Sequence, residues 1–195
     1  HPNRSKWETI LKRPTLDVSN LHQTVTGILE QIRQKGDPAV RTFTEQFDKV
    51  QLDRFEVSTE EFKAAEKALS PELKLAIQTA QQNISRFHAQ QQLHPEVVET
   101  MPGVQCWRRS RPIEKVGLYI PGGTAPLFST VLMLGIPAQI AGCKEIVLCS
   151  PPDQNGRLHP AILYAAQVVG VSKIFKIGGV QAIGAMAYGT QTVPK

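Results

Sequence analysis

Two glycine-rich segments carry the side chains best suited to hold a ligand. Tyr119 comes just before the turn Pro121-Gly122-Gly123-Thr124, and Gln181 follows the pair Gly178-Gly179. Glycine lets a ligand approach the backbone closely. A tyrosine can stack on a ring and offer a hydroxyl, while a glutamine amide both donates and accepts, as a ribose hydroxyl or a base edge requires. These residue types favour binding of a nucleotide-like molecule.

Each of these segments also has a structural interpretation. Tyr119 fits an interior strand position, Gln181 fits the capped first turn of a helix, and glycines allow an ordinary strand and helix to pack closely. The first turn is not GxGxxG, and it lacks the lysine of GxxxxGK[ST]. No acidic residue follows at the spacing of a ribose-binding carboxylate. The residue types alone therefore leave nucleotide binding and simple packing both open.

The elements that must position these residues alternate between strand and helix after Lys115. The apolar patterns predict strands over 116–120, 145–149 and 173–177 and helices over 127–141, 160–169 and 181–188. Short Val-, Ile- and Leu-rich strands are typical of a parallel sheet covered on both faces. The order predicts right-handed crossovers and convergence of loops 121–126, 150–158 and 178–182 at one edge. Pro137 predicts a kink or break in the first of these helices.

The first half of the chain is predicted to be mainly helical. Amphipathic patterns start near Leu21, Pro38 and Glu72, and Ser58 with Glu61 forms a capping-box signature. Asp37 is predicted to cap the helix that begins with Pro38. Residues 52–57 alternate like a short strand, and 97–111 resemble a hairpin around a Pro-Gly turn. The fold class predicted is α/β: a mainly helical N-terminal region followed by an incomplete Rossmann-like parallel βαβαβα domain.

Composition narrows the classes of function. The 195 residues carry a net charge of +5 and 41% hydrophobic residues, enough for a core, and no apolar run is long enough to span a membrane. The chain has three cysteines, an odd number, and none of them forms a CxxC pair. This argues against a disulfide framework and favours a cytoplasmic setting. No His/Cys pattern forms a metal site. The cluster at 108–111 lacks interleaved aromatics, so no nucleic-acid partner is expected.

Beyond these general features, the chain resembles the first half of the histidinol dehydrogenases. The resemblance rests on VGLYIPGGTAPLFSTVLMLGIPAQIAGCKEIVLCSPP and HPAILYAAQVVGVSKIFKIGGVQAIGAMAYGTQTVPK, with support from LSPELKLAIQTAQQNISRFHAQQ and GVQCWRRSRPIEKVG upstream. It extends over nearly the whole chain from about residue 20. GLYIPGG and GGVQAI, at this separation, are its most specific parts.

The resemblance implies a zinc- and NAD-dependent enzyme that oxidises L-histidinol to L-histidine through L-histidinaldehyde, at the end of histidine biosynthesis. It also implies a homodimer. Tyr119 and Gln181 match the family's NAD-contacting tyrosine and glutamine, supported by Gly122, Gly123, Gly178 and Gly179. The family's third NAD contact, its zinc ligands and its glutamate–histidine pair would follow Lys195, so no catalytic or metal residue is expected in this chain.

Three regions follow from these observations. Residues 1–19 are predicted to be a docking segment, 20–114 a mainly helical region with short strands, and 115–195 a truncated Rossmann-like NAD-binding domain. Two alternatives stay open beside the enzyme: a non-catalytic nucleotide- or phosphate-binding α/β module, and a structural fragment that associates through its sheet edge. Titration with NAD distinguishes these two alternatives.

The 195-residue chain is expected to have no dehydrogenase activity by itself, because the proton-transfer and zinc-binding residues of the family lie in its second half. The measurement is NADH absorbance with L-histidinol, NAD and zinc. Zinc-dependent NADH formation by the purified chain would contradict this expectation.

Overall fold

A computed structural model describes residues 1–13, 19–123 and 125–195 of the chain. The helices are α1 (Trp7–Leu11, after a 3₁₀ turn Arg4–Lys6), α2 (Ser19–Lys35), α3 (Asp37–Phe43, continued by a π-helical turn Thr44–Asp48), α4 (Thr59–Ala68), α5 (Pro71–Ala89), α6 (Phe128–Ala141), α7 (Pro160–Val168) and α8 (Gly179–Tyr188). The strands are β1 (Val98–Met101), β2 (Val104–Cys106), β3 (Lys115–Tyr119), β4 (Glu145–Ser150) and β5 (Lys173–Lys176).

The second half of the chain forms a three-stranded parallel sheet in the order β3-β4-β5. Tyr119 pairs with Cys149, and Ser150 pairs with Lys176, so the three strands end together. Helices α6 and α7 make the connections between successive strands. This arrangement confirms the predicted α/β fold class, in which a mainly helical region is followed by a parallel βαβαβα unit.

The sheet is buried on both faces by two separate hydrophobic clusters. Leu118, Leu148 and Ile174 belong to the cluster formed with α4, α5, α6 and α7. Cys149 and Phe175 belong to the cluster formed with α2, α3 and α8. Because successive side chains of a strand point to opposite faces, alternate residues of β4 and β5 supply the two clusters. The near-continuous apolar strands of the sequence are explained by this two-sided burial.

Helix α4 connects the helical half to the end of β5. Ser58 and Glu61 form the predicted capping box: Glu61 N–H donates to Ser58 Oγ at 3.2 Å, and Ser58 N–H donates to Glu61 Oε2 at 2.8 Å. Glu61 Oε1 also accepts from Lys176 Nζ at 3.1 Å, and the Lys176 side chain is only 10% exposed. The cap therefore fixes the start of α4 beside the carboxyl end of the sheet.

Three local predictions are corrected by the structure. Residues 52–57 do not form a strand, but Glu56 makes an isolated antiparallel bridge to Phe175. Gly36 is the N-cap residue of α3, so Asp37 is its first residue, and Asp37 instead accepts hydrogen bonds from Thr192. Pro137 lies inside α6, which runs as one α-helix from Phe128 to Ala141, so the predicted break does not occur.

The N-terminal helix and the hairpin lie at the surface. Helix α1 has no buried residue, and every residue of β1 and β2 is exposed. The spacing of Trp7, Ile10 and Leu11 in the sequence predicts a short helix ended by Pro14, and Pro14 lies outside the described residues. Over the ranges 1–13, 19–123 and 125–195, no helix is both long and apolar enough to cross a membrane.

Two helical glycines provide a test of the core packing. A Cβ on Gly135 of α6 would lie 2.5 Å from Val169 Cγ2, whereas a Cβ on Gly27 of α2 would meet no atom within 4 Å. Gly135→Ala is expected to destabilise the fold by about 1–3 kcal/mol because the core becomes overpacked. Gly27→Ala, the matched control, should stabilise it by roughly 0.5–1 kcal/mol. Urea unfolding followed by circular dichroism measures both, and equal effects of one sign would contradict the packing.

Candidate functional site

Tyr119 ends β3 and connects the two glycine-rich segments directly. Its hydroxyl oxygen accepts a hydrogen bond from Gly179 N–H at 2.9 Å, although 60 residues separate the two. The tyrosine side chain is half-buried and packs against the cluster beneath α8. The parallel register explains the contact, because β3 and β5 end at the same edge and the turn after β5 then reaches Tyr119.

Gln181 lies in the first turn of α8 and its side chain is fully buried. Its Nε2 donates to Asp48 Oδ2 at 3.3 Å. Its Oε1 accepts no hydrogen bond, and it is one of two buried side-chain atoms without a partner among the described residues. A buried polar atom left unpaired lowers stability, so such atoms are rare in folded proteins.

The four supporting glycines have different surroundings. A Cβ at Gly122 or at Gly178 would lie 2.7 Å from the ring of Pro151, so both glycines are needed for close packing. Gly179 has φ +55°, a conformation that other residues rarely adopt. Gly123 has no atom within 4 Å of its Cβ position, which leaves room for a ligand. Close packing thus explains the glycines at positions 122 and 178, whereas the space beside Gly123 is empty.

A cleft of about 880 Å³ lies on the α4 side of the same edge. It is lined by α4, by the turn after β3, by the loop after β4 and by the start of α7; its polar lining includes Glu60, Glu61, Asp153, Arg157 and His159. His159 caps α7, because its Nδ1 accepts from Ala161 N–H at 3.1 Å. Tyr119 and Gln181 do not line this cleft; Pro151 lines it and also packs against Gly178.

The polar atoms at the Gly178-Gly179 turn match a ligand that both donates and accepts. Gln181 Oε1 is a free acceptor, and the Tyr119 hydroxyl, which already accepts, keeps its proton for donation. Thr124 of the first turn lies outside the described residues.

A metal ion is a poor fit to this part of the chain. The described ranges contain no cluster of three His, Cys, Asp or Glu side chains that could hold one. Burial raises the pKa of the Cys149 thiol to about 12. That cysteine is therefore protonated at neutral pH and serves as a small core residue.

Asp48 was missed by the sequence analysis. Its carboxylate meets Gln181 across 133 residues of sequence, and Gly178 N–H also donates to it. Burial raises the pKa of the Asp48 carboxyl above its ordinary value, and these two hydrogen bonds offset part of that rise. No local motif marks this aspartate, because its partners are brought to it only by the packing of α3 against α8.

The chain is similar in sequence to histidinol dehydrogenases from several bacteria. It is 58% identical over 195 residues to the enzyme of Bacteroides fragilis strain NCTC 9343, covering 100% of the chain and 46% of that relative. It is 51% identical over 187 residues to the enzyme of Escherichia coli O157:H7, covering 95% of the chain and 42% of that relative. The chain thus spans less than half the length of these relatives.

A solved structure is similar as well. The crystal structure of histidinol dehydrogenase from Elizabethkingia anophelis superposes with a TM-score of 0.95 at 50% identity, over 100% of this chain and 45% of that one. The sequence model of the family described as histidinol dehydrogenase matches residues 11–195. With the parallel sheet and its paired glycine-rich turns already described, these matches show that the chain belongs to the histidinol dehydrogenase family.

Proposed function

We propose that this chain supplies part of the NAD-binding scaffold of an enzyme that oxidises L-histidinol to L-histidine through L-histidinaldehyde. The observation that carries the proposal is that Gly179 lies beside both side chains: its N–H donates to the Tyr119 hydroxyl, and Gln181 Oε1 lies 2.8 Å from its Cβ position with no hydrogen-bond partner. The family membership supports the choice of substrate and cofactor. Histidinol oxidation, NAD, zinc and a cytoplasmic location belong to the whole protein in this proposal.

The two side chains complement a sugar hydroxyl of the cofactor. Tyr119 offers a proton and Gln181 Oε1 offers a lone pair, and a ribose hydroxyl needs one of each. Gln181 is fully buried beneath the exposed Gly179, so a ligand reaches Oε1 when this turn shifts. Glycine at both positions of the turn makes such a shift easier than it would be for residues with side chains.

The cleft beside α4 offers space for the rest of a nucleotide. Ligand pockets commonly enclose about 300–1,000 Å³, and this cleft of about 880 Å³ falls in that range. Gly123, with open space above its Cα, lies in the turn that lines the cleft. Close approach of a phosphate to this backbone is therefore sterically allowed.

In the mechanism, the residues of this chain bind and orient rather than transfer protons. NAD, when bound, supplies the hydride acceptor for each of the two oxidations. Tyr119 and Gln181 would hydrogen-bond to a cofactor hydroxyl, and Asp48 would hold the Gln181 side chain by accepting from its Nε2. Zinc finds no ligand cluster among the described residues, so no step is assigned to it here.

Tyr119→Phe is expected to weaken NAD binding by roughly threefold to tenfold, because it removes one hydroxyl that both donates and accepts. Isothermal titration calorimetry of the 195-residue chain gives the dissociation constant for NAD. Tyr188→Phe is the matched control: Tyr188 is 40% exposed at the end of α8 and should bind as the wild type does.

The outcome separates the rival functions. Equal NAD affinity of Tyr119→Phe and wild type would contradict a cofactor role for Tyr119. Binding of AMP and inorganic phosphate as tight as that of NAD would instead favour a non-catalytic nucleotide- or phosphate-binding module. A chain that binds none of the three would favour a structural fragment.

We also propose that the whole protein is a homodimer to which the N-terminal helix contributes. Leu11 at the end of α1 is 70% exposed, and Trp7 and Ile10 are exposed beside it. Three exposed apolar side chains on one short helix are typical of a surface that another chain covers.

Leu11→Asp is expected to weaken the dimer at least tenfold, because it places a charge in an apolar contact. The dissociation constant of the dimer is measured by sedimentation velocity. The sample is a protein that contains these residues and is as long as the relatives. Leu11→Met, which keeps an apolar side chain of similar volume, is the control. A monomeric wild type, or equal dimer affinity for both variants, would contradict this proposal.

A further inference from the structure

Asp48 is brought to the carboxyl end of the sheet by an unusual helix ending. Helix α3 continues through a π-helical turn, Thr44–Asp48, which stops at Lys49 with φ 57°. Short π-helical turns are rare and occur often at functional sites. The turn is held in place by its buried Thr44 and by Phe47, whose ring stacks on Phe43 at 5.8 Å. Asp48 follows as its last residue.

Two neutral donors face the Asp48 carboxylate. Gln181 Nε2 donates to Oδ2 at 3.3 Å, and Gly178 N–H also donates to the carboxyl group. A Cβ on Gly178 would lie 2.8 Å from Oδ1, so only glycine lets the turn approach this closely. Asp48 takes part in no ion pair among the described residues.

An ionised carboxylate decides which way the Gln181 amide points. An ionised carboxylate can only accept hydrogen bonds, so it pairs with the NH₂ group of Gln181 and not with Oε1, which is also an acceptor. Oε1 is then directed to the other side, where it lies 2.8 Å from the Cβ position of Gly179 and has no partner. A neutral amide or hydroxyl in place of Asp48 could donate as well as accept, and it would allow either orientation of Gln181.

We propose that Asp48 is a positioning residue that holds the Gln181 amide so that its Oε1 stays available as a hydrogen-bond acceptor for a cofactor hydroxyl. The contact between Asp48 and Gln181 stands on the geometry, and the identity of the ligand rests on the proposed NAD-binding function. Asp48 itself touches no ligand in this assignment, because Gln181 and Gly178 occupy its carboxylate.

The energetics favour this role over simple support of the fold. Burial of the Asp48 carboxylate raises its pKa, which means that the ionised form is disfavoured where it lies. The unpaired Gln181 Oε1 is a second unfavourable feature at the same place. Both become understandable if a ligand completes the hydrogen bonding, because strained or unsatisfied groups concentrate at functional sites.

The first experiment is a double-mutant cycle on NAD affinity of the 195-residue chain, measured by calorimetry. Asp48→Asn is expected to weaken binding roughly fivefold, because asparagine no longer fixes the amide orientation. In the background of Gln181→Met, the same substitution should change affinity by less than twofold, because the residue through which Asp48 acts is gone. Asp53→Asn, the same chemical change at an exposed aspartate, is the control and should bind as the wild type does.

Circular dichroism of each variant shows that it is folded before affinities are compared. An Asp48→Asn chain that binds NAD as the wild type does would overturn the inference. So would an Asp48→Asn effect of equal size with and without Gln181, since a merely structural role acts independently of that side chain.

A second experiment needs no ligand. Carbon-13 NMR titration of the Asp48 carboxyl is carried out in the wild type and in Gln181→Met. Loss of the Nε2 donor should raise the Asp48 pKa further, because that hydrogen bond favours the ionised form. Gln78→Met, which removes an amide bonded to Tyr164 instead, is the control and should leave the Asp48 pKa unchanged.

The two experiments keep the inference and the proposed function distinguishable. An Asp48 pKa that does not move in Gln181→Met means that the contact is absent, and the positioning role fails whatever the chain binds. If the Asp48 pKa does differ between the wild type and Gln181→Met but the wild-type chain does not bind NAD, the contact is present and the proposed cofactor role is contradicted.

Discussion

Two-sided burial of the parallel sheet is the constraint on which the other features depend. Alternate residues of β4 and β5 enter opposite hydrophobic clusters, so a slip of one residue would exchange the two faces. The register is therefore fixed, and the strands must end together, with Tyr119 beside Cys149 and Ser150 beside Lys176. The three loops that follow the strands meet at one edge for this reason. The position of the glycine-rich turns at that edge is a consequence of how the core is packed.

Two buried polar side chains leave an atom without a hydrogen bond, which is unusual in a protein core. Among the described residues, the two buried side-chain atoms without a hydrogen bond are Thr44 Oγ1 and Gln181 Oε1. Thr44 begins the π-helical turn that ends at Asp48, and Gln181 contacts that aspartate. The π-helical turn therefore links Thr44 to the aspartate that Gln181 contacts. An unpaired buried acceptor such as Gln181 Oε1 is a feature that a site for a polar ligand would contain.

Features with a local cause could be predicted from the sequence. Ser58 and Glu61 lie three residues apart and satisfy each other, so the capping box is visible in the sequence and present in the fold. The strands were predicted because Val, Ile and Leu runs mark burial on both faces. Tyr119 and Gln181 were singled out by residue type beside glycines, and the parallel order brings both to one turn. Their role in binding stays a prediction.

Features that depend on distant contacts could not be predicted. Asp48 has no signature, since its partners are 130 and 133 residues away in sequence, at Gly178 and Gln181. Residues 52–57 alternate as a strand does, yet they reach β5 by one isolated bridge. Pro137 stays within α6 although proline disfavours a helix interior, because that helix is held between β3, α5 and α7. Burial of Gln181 depends on the aspartate beneath it and on the turn above it.

The helical half of the chain contributes side chains to the candidate site as well as to the core. Asp48, at the end of the π-helical turn that continues α3, lies against Gln181. Glu61, from α4, lines the cleft and also binds Lys176 at the end of β5. Each of these carboxylates comes from a helix that covers a different face of the sheet. The carboxyl edge is therefore held from both faces by negatively charged side chains of the first half. The glycines of the turns let the backbone pack closely against its neighbours. The helices determine the orientation of the polar side chains beside those turns.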